Sequence, residues 1–270
     1  MTGVGKPSRT AYGAAVHRAV HQVLENGRIF ADPLAIGILG EDIAPLVHEA
    51  EQHPHRRRMR LFIAMRTRFA EDALAVAVDR GVTQLVVLGA GLDTYAYRGA
   101  MRSRLRIFEV DHPATQAWKR ERVGEAGIAL PGNLTFASVD FERETLDQGL
   151  TAAGFDASQR TFFTWLGVVP YLSEEAAMST LRFIGSLAGG AEVVFDYSNP
   201  PDSLSDETRA LHDTYATRVA EIGEPWVTYF ETTDLHGKLA GMGFRDIEDR
   251  RAGSSPAGGA HVLRVSVPSR

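Results

Sequence analysis

The sequence predicts an α/β protein built on a doubly wound, seven-stranded and mostly parallel sheet. Residues 85–88, Leu-Val-Val-Leu, are four large apolar residues without alternation, which is typical of a strand buried on both faces. Strand-like and helical patterns then alternate along the chain, which favours parallel strands joined by crossover helices. The first strand ends directly in Gly89-Ala90-Gly91, at the edge where such sheets bind ligands.

Each further element follows from a local pattern. The predicted strands are 85–88, 106–110, 134–139, 161–166, 192–196, 244–247 and 261–267. The helical patterns between them lie at 112–125, 143–153, 173–187, 205–222 and 232–240. The last two strands are separated by a Gly- and Ser-rich loop at 252–260, so a hairpin is expected to add an antiparallel strand to the sheet.

Two segments are longer than a minimal α/β sheet requires. Residues 1–80 carry helical patterns at 11–25 and 54–80 and a short helix opened by Asp32-Pro33, and we expect them to form a lid over the ligand edge. Residues 197–230 make an unusually long connection between the fifth and sixth strands. We call this segment the cap insertion. Because neither segment predicts an independent core, we expect one domain over 1–270, with the sheet core at 84–196 and 240–268.

Composition narrows the class of protein. The 270 residues are 44% hydrophobic and carry a net charge of −5, so no nucleic-acid or membrane partner is expected. The sequence has no cysteine, which excludes disulfides and thiolate metal sites. Its start lacks the apolar core of a signal peptide, and no apolar run approaches the roughly 20 residues of a membrane helix. We therefore expect a soluble, cytoplasmic protein.

The order of glycines and acids predicts a site for an adenosine. Gly89 and Gly91 let the backbone pass close to a ligand. Asp111 follows at the end of the second strand, where a carboxylate accepts hydrogen bonds from both ribose hydroxyls. Asp140, after the third strand, is placed to accept from the adenine amino group while Phe141 covers the base. The alternative is that both acids only cap the helices that follow them.

The glycine turn favours S-adenosylmethionine over a dinucleotide. The dinucleotide fingerprint has a third glycine where this chain has Thr94. No Arg or Lys of the turn offers a partner for a pyrophosphate, and Asp93 places a negative charge beside it. S-adenosylmethionine, a sulfonium cation with an amino-acid tail, has no pyrophosphate and is not disfavoured by the charge of Asp93. An NAD-dependent oxidoreductase and a non-catalytic S-adenosylmethionine-binding protein remain the rival interpretations.

Six short motifs, in this order, resemble the leucine carboxyl methyltransferase-like family, and most of all its bacterial O-methyltransferases that act on polyketides and other small molecules. The motifs are SRTA at 8–11, FADPLA at 30–35, RTRF at 66–69, LGAGLDT with AYR at 88–98, FEVD at 108–111 and WLGVVPYL at 165–172. The resemblance covers about residues 8–200. It implies a class I methyltransferase, with a Rossmann-like sheet, a helical lid and S-adenosylmethionine as cofactor, which leaves as S-adenosylhomocysteine.

The resemblance also implies roles for individual residues. Arg66, and with it Arg18, would hold the methionine carboxylate of the cofactor. In the leucine carboxyl methyltransferases proper a Glu stands at the position of Leu166, so this chain is expected to methylate a small molecule rather than a protein phosphatase. The predicted cofactor-binding residues are Arg18, Arg66, Gly89, Ala90, Gly91, Asp111, His112, Asp140, Phe141 and Leu166.

The acceptor decides which catalytic groups are needed. Methyl transfer from a sulfonium is an in-line displacement, so positioning supplies much of the rate. A carboxylate acceptor is already ionised and needs no base, and our first expectation is ester formation on a polyketide-like or aromatic acid. A phenol or alcohol acceptor needs a general base, for which the sequence offers His17, His21, His112 and His212, with His17 and His112 as the catalytic candidates. Tyr171 is a third candidate catalytic residue.

Aromatic residues near the motifs are candidates for the acceptor pocket. They are Tyr12, Trp165, Tyr197 and Trp226. His17 and His21 lie one helical turn apart, a spacing that also suits a metal ion. The sequence offers no third ligand beside them, so no metal is expected.

Overall fold

The computed structural model describes residues 7–251 and 259–270, and its centre is a seven-stranded sheet. The strands are β1 (Gln84–Leu88), β2 (Arg106–Asp111), β3 (Leu134–Ser138), β4 (Thr161–Trp165), β5 (Ala191–Ser198), β6 (Arg245–Arg251) and β7 (Ala260–Val267). Their order in the sheet is β3-β2-β1-β4-β5-β7-β6. The predicted strands are thus confirmed, with ends shifted by a few residues.

The strand directions also agree with the prediction. β1 to β5 are parallel, whereas β7 is antiparallel to both β5 and β6. β6 and β7 form the predicted hairpin. β7 lies between β5 and β6 and is the one antiparallel strand of the described sheet. Most of the Gly- and Ser-rich loop between them, residues 252–258, lies outside the described residues.

Helices cover both faces of the sheet and precede its first strand. They are α1 (Arg9–Leu24), α2 (Ile43–Gln52), α3 (Arg57–Asp79), α4 (Tyr95–Arg98), α5 (Pro113–Glu125), α6 (Leu146–Ala152), α7 (Glu174–Ser186), α8 (Asp206–Glu221) and α9 (Thr232–Gly241). None of those that the structure describes combines the length and apolarity that crossing a bilayer requires.

Two parts of the lid differ from the prediction. α2 lies outside the predicted helices, and its start is capped by the Asp42 carboxylate, which accepts from the Ala44 N–H. The short helix expected at Asp32-Pro33 is a turn followed by a 3₁₀ helix over Gly37–Leu39. The Asp32 carboxylate does accept from the Leu34 N–H as a cap would, but it is also paired with Arg18 and Arg98, so it anchors the turn to the core.

β1 shows why the sheet is doubly wound. All its residues are buried, and successive side chains enter different cores. Val86 and Leu88 pack in the core that also contains residues of α7 and α9, and Leu85 and Val87 pack in the core shared with α1 and α3. This period of two along a fully apolar strand is what burial on both faces produces.

Candidate functional site

The glycine turn after β1 adopts a backbone that only glycine takes readily. Gly89 has φ +62° and Gly91 has φ +42°, both in the left-handed region. A Cβ on Gly89 would lie 2.2 Å from Cγ2 of Val168, and one on Gly91 would lie 3.0 Å from Cβ of Ala11 in α1. The Ala90 N–H donates to the Val110 carbonyl at 3.1 Å. The turn is therefore fixed against β2, close to the lid and to the loop after β4.

Asp111 lies beside this turn and is oriented by backbone donors. Its Oδ2 accepts from the Gly91 N–H at 2.6 Å and its Oδ1 accepts from the His112 N–H at 2.7 Å. Burial raises the pKa of Asp111, and these two hydrogen bonds oppose that rise. Each carboxylate oxygen retains a further acceptor position, which is what a ribose diol would need.

The competing interpretation, that the two acids only cap helices, fails for Asp111. The cap of α5 is His112, whose Nδ1 accepts from the Ala114 N–H at 3.2 Å. Asp140 does have a local role, because its Oδ1 accepts from the Glu142 N–H at 3.1 Å within a turn. It nevertheless lines the same cavity as Asp111, with Phe141 next to it.

Two arginines of the lid point into the site with donors left over. Arg66 in α3 is 9% exposed, and its Nη1 donates to Asp196 Oδ2 at 2.7 Å. Arg18 in α1 donates from Nη2 to the Leu92 carbonyl at 2.5 Å. The Arg66 Nε is buried and has no hydrogen-bond partner within residues 7–251 and 259–270, whereas the Arg18 Nε lies 3.7 Å from Asp32 Oδ2. Such donors suit a carboxylate ligand.

These groups meet in one cavity of about 310 Å³ at the carboxyl ends of β1 to β4. All of the residues predicted to bind the cofactor line it, and so does Tyr171. Arg18 and Arg66 of the lid line it together with Asp111 and Asp140, the acids predicted to bind the ribose and the adenine. The residues present therefore fit an adenosyl ligand with a charged amino-acid tail.

A carboxylate that no sequence motif predicts joins the cap insertion to the lid. Glu224 lines the cavity and is 6% exposed. Its Oε1 accepts from the Arg9 N–H at 2.8 Å, and its Oε2 accepts from the Thr10 N–H at 2.9 Å and the Ser8 hydroxyl at 3.0 Å. Glu224 thus caps the N-terminus of α1 from the far end of the chain. No local pattern signals a contact across more than 200 residues.

The four aromatic residues predicted for the acceptor pocket are not among the residues that line this cavity. Trp165 is fully buried against Phe195, with ring centroids 6.0 Å apart. Its neighbours Thr164 and Leu166 do line the cavity, so the alternation of the strand turns Trp165 to the opposite face.

The same alternation applies to Tyr197, which follows Asp196 in β5. The Tyr197 hydroxyl donates to Asp249 Oδ2 at 2.7 Å, in a core beyond the cavity. The other two aromatic side chains lie nearer the surface. The Tyr12 hydroxyl donates to Glu41, and Trp226 is half-buried beside His212 at 5.5 Å.

His17 also lies outside the cavity lining. Burial, reinforced by nearby arginines of which Arg60 acts most, lowers the pKa of His17 to about 4. His21 faces Glu25 instead of a metal partner, with Nδ1 and Oε2 3.2 Å apart. Across the described parts of the chain, no group of three His, Cys, Asp or Glu side chains is arranged to hold a metal ion.

Comparison with known proteins supports the assignment of this chain to the methyltransferases. The leucine carboxyl methyltransferase family model matches residues 11–185. YktD of Bacillus subtilis (strain 168), assigned by name to the S-adenosyl-L-methionine-dependent methyltransferases, is 32% identical over 180 residues, which are 66% of this chain and 59% of YktD. SCO7813 of Streptomyces coelicolor, with the same assignment, is 37% identical over 182 residues, 65% of this chain and 63% of that protein. The chain thus spans less than two thirds of the length of these relatives.

Solved structures agree on the fold. A DUF574 family protein from Streptomyces avermitilis superposes with a TM-score of 0.61 and 14% identity, over 95% of this chain and 97% of its own. At that identity the likeness shows the fold alone, which is that of the class I methyltransferases. Because the family model covers more than half of the sequence, the chain belongs to the leucine carboxyl methyltransferase family, whose cofactor is S-adenosylmethionine.

Proposed function

We propose that this protein is an S-adenosylmethionine-dependent O-methyltransferase that esterifies the carboxyl group of a small organic acid. The observation that supports it most is the single cavity in which the glycine turn, Asp111 and the free donors of Arg66 meet. A polyketide-like or aromatic acid is the acceptor class that the resemblance to small-molecule O-methyltransferases favours.

In this proposal each part of the cavity has a task. Asp111 would accept from the ribose hydroxyls, Asp140 and Phe141 would hold the adenine, and Arg66 with Arg18 would bind the methionine carboxylate. When bound, the cofactor supplies a methyl group on a positively charged sulfur. The protein then has to hold an acceptor oxygen in line with the carbon–sulfur bond and to exclude water.

The positions of the histidines favour a carboxylate acceptor. Among the described residues that line the cavity, His112 is the only histidine, and its Nδ1 is occupied as the cap of α5. It follows Asp111, the residue proposed to bind the ribose, and its N–H donates to that carboxylate. Burial raises the pKa of Tyr171, so its phenol stays protonated near neutral pH and is a poor base. A carboxylate needs neither group.

A hydroxyl acceptor is the second candidate, because His112 lines the cavity. The test follows the label from methyl-labelled S-adenosylmethionine, with the purified protein added to a metabolite extract of the source organism. We expect a labelled product that releases methanol in mild alkali, as a methyl ester does. A labelled product stable to alkali would indicate an ether. Cofactor binding without any labelled product would favour a binding protein over an enzyme.

The His112→Ala variant distinguishes a carboxylate acceptor from a hydroxyl acceptor. For a carboxylate acceptor we expect turnover at saturating cofactor to fall less than about tenfold, since general-base catalysis typically contributes 10²–10⁴-fold and would not be lost. His17→Ala, outside the cavity, is the matched control. Complete loss of turnover in His112→Ala with cofactor still bound would contradict the carboxylate proposal.

Glu224→Gln is expected to loosen the closure between lid and cap insertion. The amide keeps one acceptor oxygen and loses the charge that faces the N-terminus of α1. A loss of about 1 kcal/mol from the closed state corresponds to roughly fivefold faster dissociation of S-adenosylhomocysteine. Stopped-flow displacement measures that rate, with exposed Glu221→Gln in the same segment as the control. An unchanged dissociation rate would show that Glu224 does not hold the cavity closed.

A further inference from the structure

A buried carboxylate outside the predicted site residues holds Arg66 in place. Asp196, near the carboxyl end of β5, is 4% exposed. Its Oδ2 accepts from Arg66 Nη1 at 2.7 Å, and its Oδ1 accepts from the Gly167 N–H at 2.5 Å. One side chain thus joins a strand of the sheet, the lid helix α3 and the loop after β4.

The loop leaves Arg66 little freedom. Gly167 has φ +74°, and a Cβ there would lie 2.5 Å from Arg66 Nη2. The guanidinium therefore packs on the backbone of Gly167 while Asp196 holds its Nη1. The Arg66 Nε, which is buried, finds no partner in the part of the chain that the structure describes. Asp196 takes one side of the guanidinium and leaves the remaining donors for another anion.

We infer that Asp196 is a positioning residue, which holds Arg66 at the angle at which its free N–H groups meet the carboxylate of the cofactor. This inference rests on the proposed function, in which Arg66 binds that carboxylate. Without Asp196, a long and flexible arginine would have to be ordered by the ligand itself, and affinity would fall by the cost of that ordering. The effect should exist only for ligands that carry the carboxylate.

Asp196→Asn tests this with little change of shape. An amide has one acceptor oxygen, so it cannot keep the bonds to both Arg66 and the Gly167 N–H. The two probes are S-adenosylhomocysteine and 5′-methylthioadenosine, which lacks the amino-acid tail, with affinities measured by calorimetry. We expect the dissociation constant of S-adenosylhomocysteine to rise about tenfold. That of 5′-methylthioadenosine should stay within about twofold, which also shows that the variant is folded.

Arg66→Met and the double variant locate the effect. Arg66→Met should weaken S-adenosylhomocysteine by about 30-fold and leave 5′-methylthioadenosine unchanged. Adding Asp196→Asn to Arg66→Met should cause no further loss, because Asp196 acts through Arg66. The matched control is Glu25→Gln. Glu25 pairs with Arg60 at 2.8 Å in the lid, outside the cavity lining, and both affinities should be unchanged there.

Three results would overturn the inference. Parallel weakening of both ligands in Asp196→Asn would show a general structural role, and unchanged binding of S-adenosylhomocysteine would show no role. Additive losses in the double variant would show that Asp196 does not act through Arg66. A different failure concerns the proposed function: if Arg66→Met keeps the preference for S-adenosylhomocysteine over 5′-methylthioadenosine, the placement of the cofactor carboxylate is wrong whatever Asp196 does.

Discussion

Asp111→Ala is expected to raise the dissociation constant of S-adenosylhomocysteine by about 10- to 100-fold, equivalent to about 1.4–2.8 kcal/mol. The substitution removes the acceptor for two ribose hydroxyls. It also leaves the Gly91 and His112 N–H groups without the partners that fix the glycine turn. Both losses act on the same ligand edge, and calorimetry with the purified protein measures their sum.

The matched control is Asp147→Ala, which removes an exposed carboxylate from α6 and should leave the affinity unchanged. Asp111→Asn provides an intermediate case, because the amide oxygen can still accept but the charge is lost. We expect it to bind S-adenosylhomocysteine more tightly than Asp111→Ala and more weakly than the natural protein. Full affinity in both variants would remove Asp111 from the cofactor site.

Much of this site follows from rules that are local in sequence. A fully apolar strand followed by Gly89-Ala90-Gly91 identifies both the strand and its ligand edge. Parallel topology then brings the ends of β1, β2 and β3 together, which places Asp111 and Asp140 on the same cavity without any knowledge of distances. The predicted cofactor residues converge because each stands at the end of a strand or, through the family resemblance, on a lid helix.

The acceptor side could not be predicted in the same way. Trp165 is an acceptor-pocket candidate by its chemistry, although strand alternation turns it away from the face of Thr164 and Leu166. The direction of its side chain was predictable from the sequence. The contact of Glu224 with the start of α1 was not, because the path of the cap insertion depends on tertiary packing and not on a periodic pattern. Asp196 lies between these cases, since its position at a strand end was predictable and its ion pair with Arg66 was not.

Gly89→Ala is expected to weaken cofactor binding more than backbone strain alone would. An alanine at φ +62° costs about 1–2 kcal/mol in any left-handed position. Here the new Cβ would also lie 2.2 Å from Cγ2 of Val168, which lines the cavity. We expect a lower melting temperature and at least about tenfold weaker binding of S-adenosylhomocysteine, because the turn and the loop after β4 must move apart.

Gly127→Ala separates the two causes. Gly127 has φ +64°, almost the same as Gly89, but nothing among the described residues lies within 4 Å of an added Cβ. It should therefore show the strain alone, as a reduced melting temperature with unchanged cofactor affinity. Combining Gly89→Ala with Val168→Ala removes the Cγ atoms that clash, and the double variant should recover most of the lost affinity. If it binds no better than Gly89→Ala, the turn is limited by backbone conformation, and close approach of Val168 is not the reason that glycine is needed there.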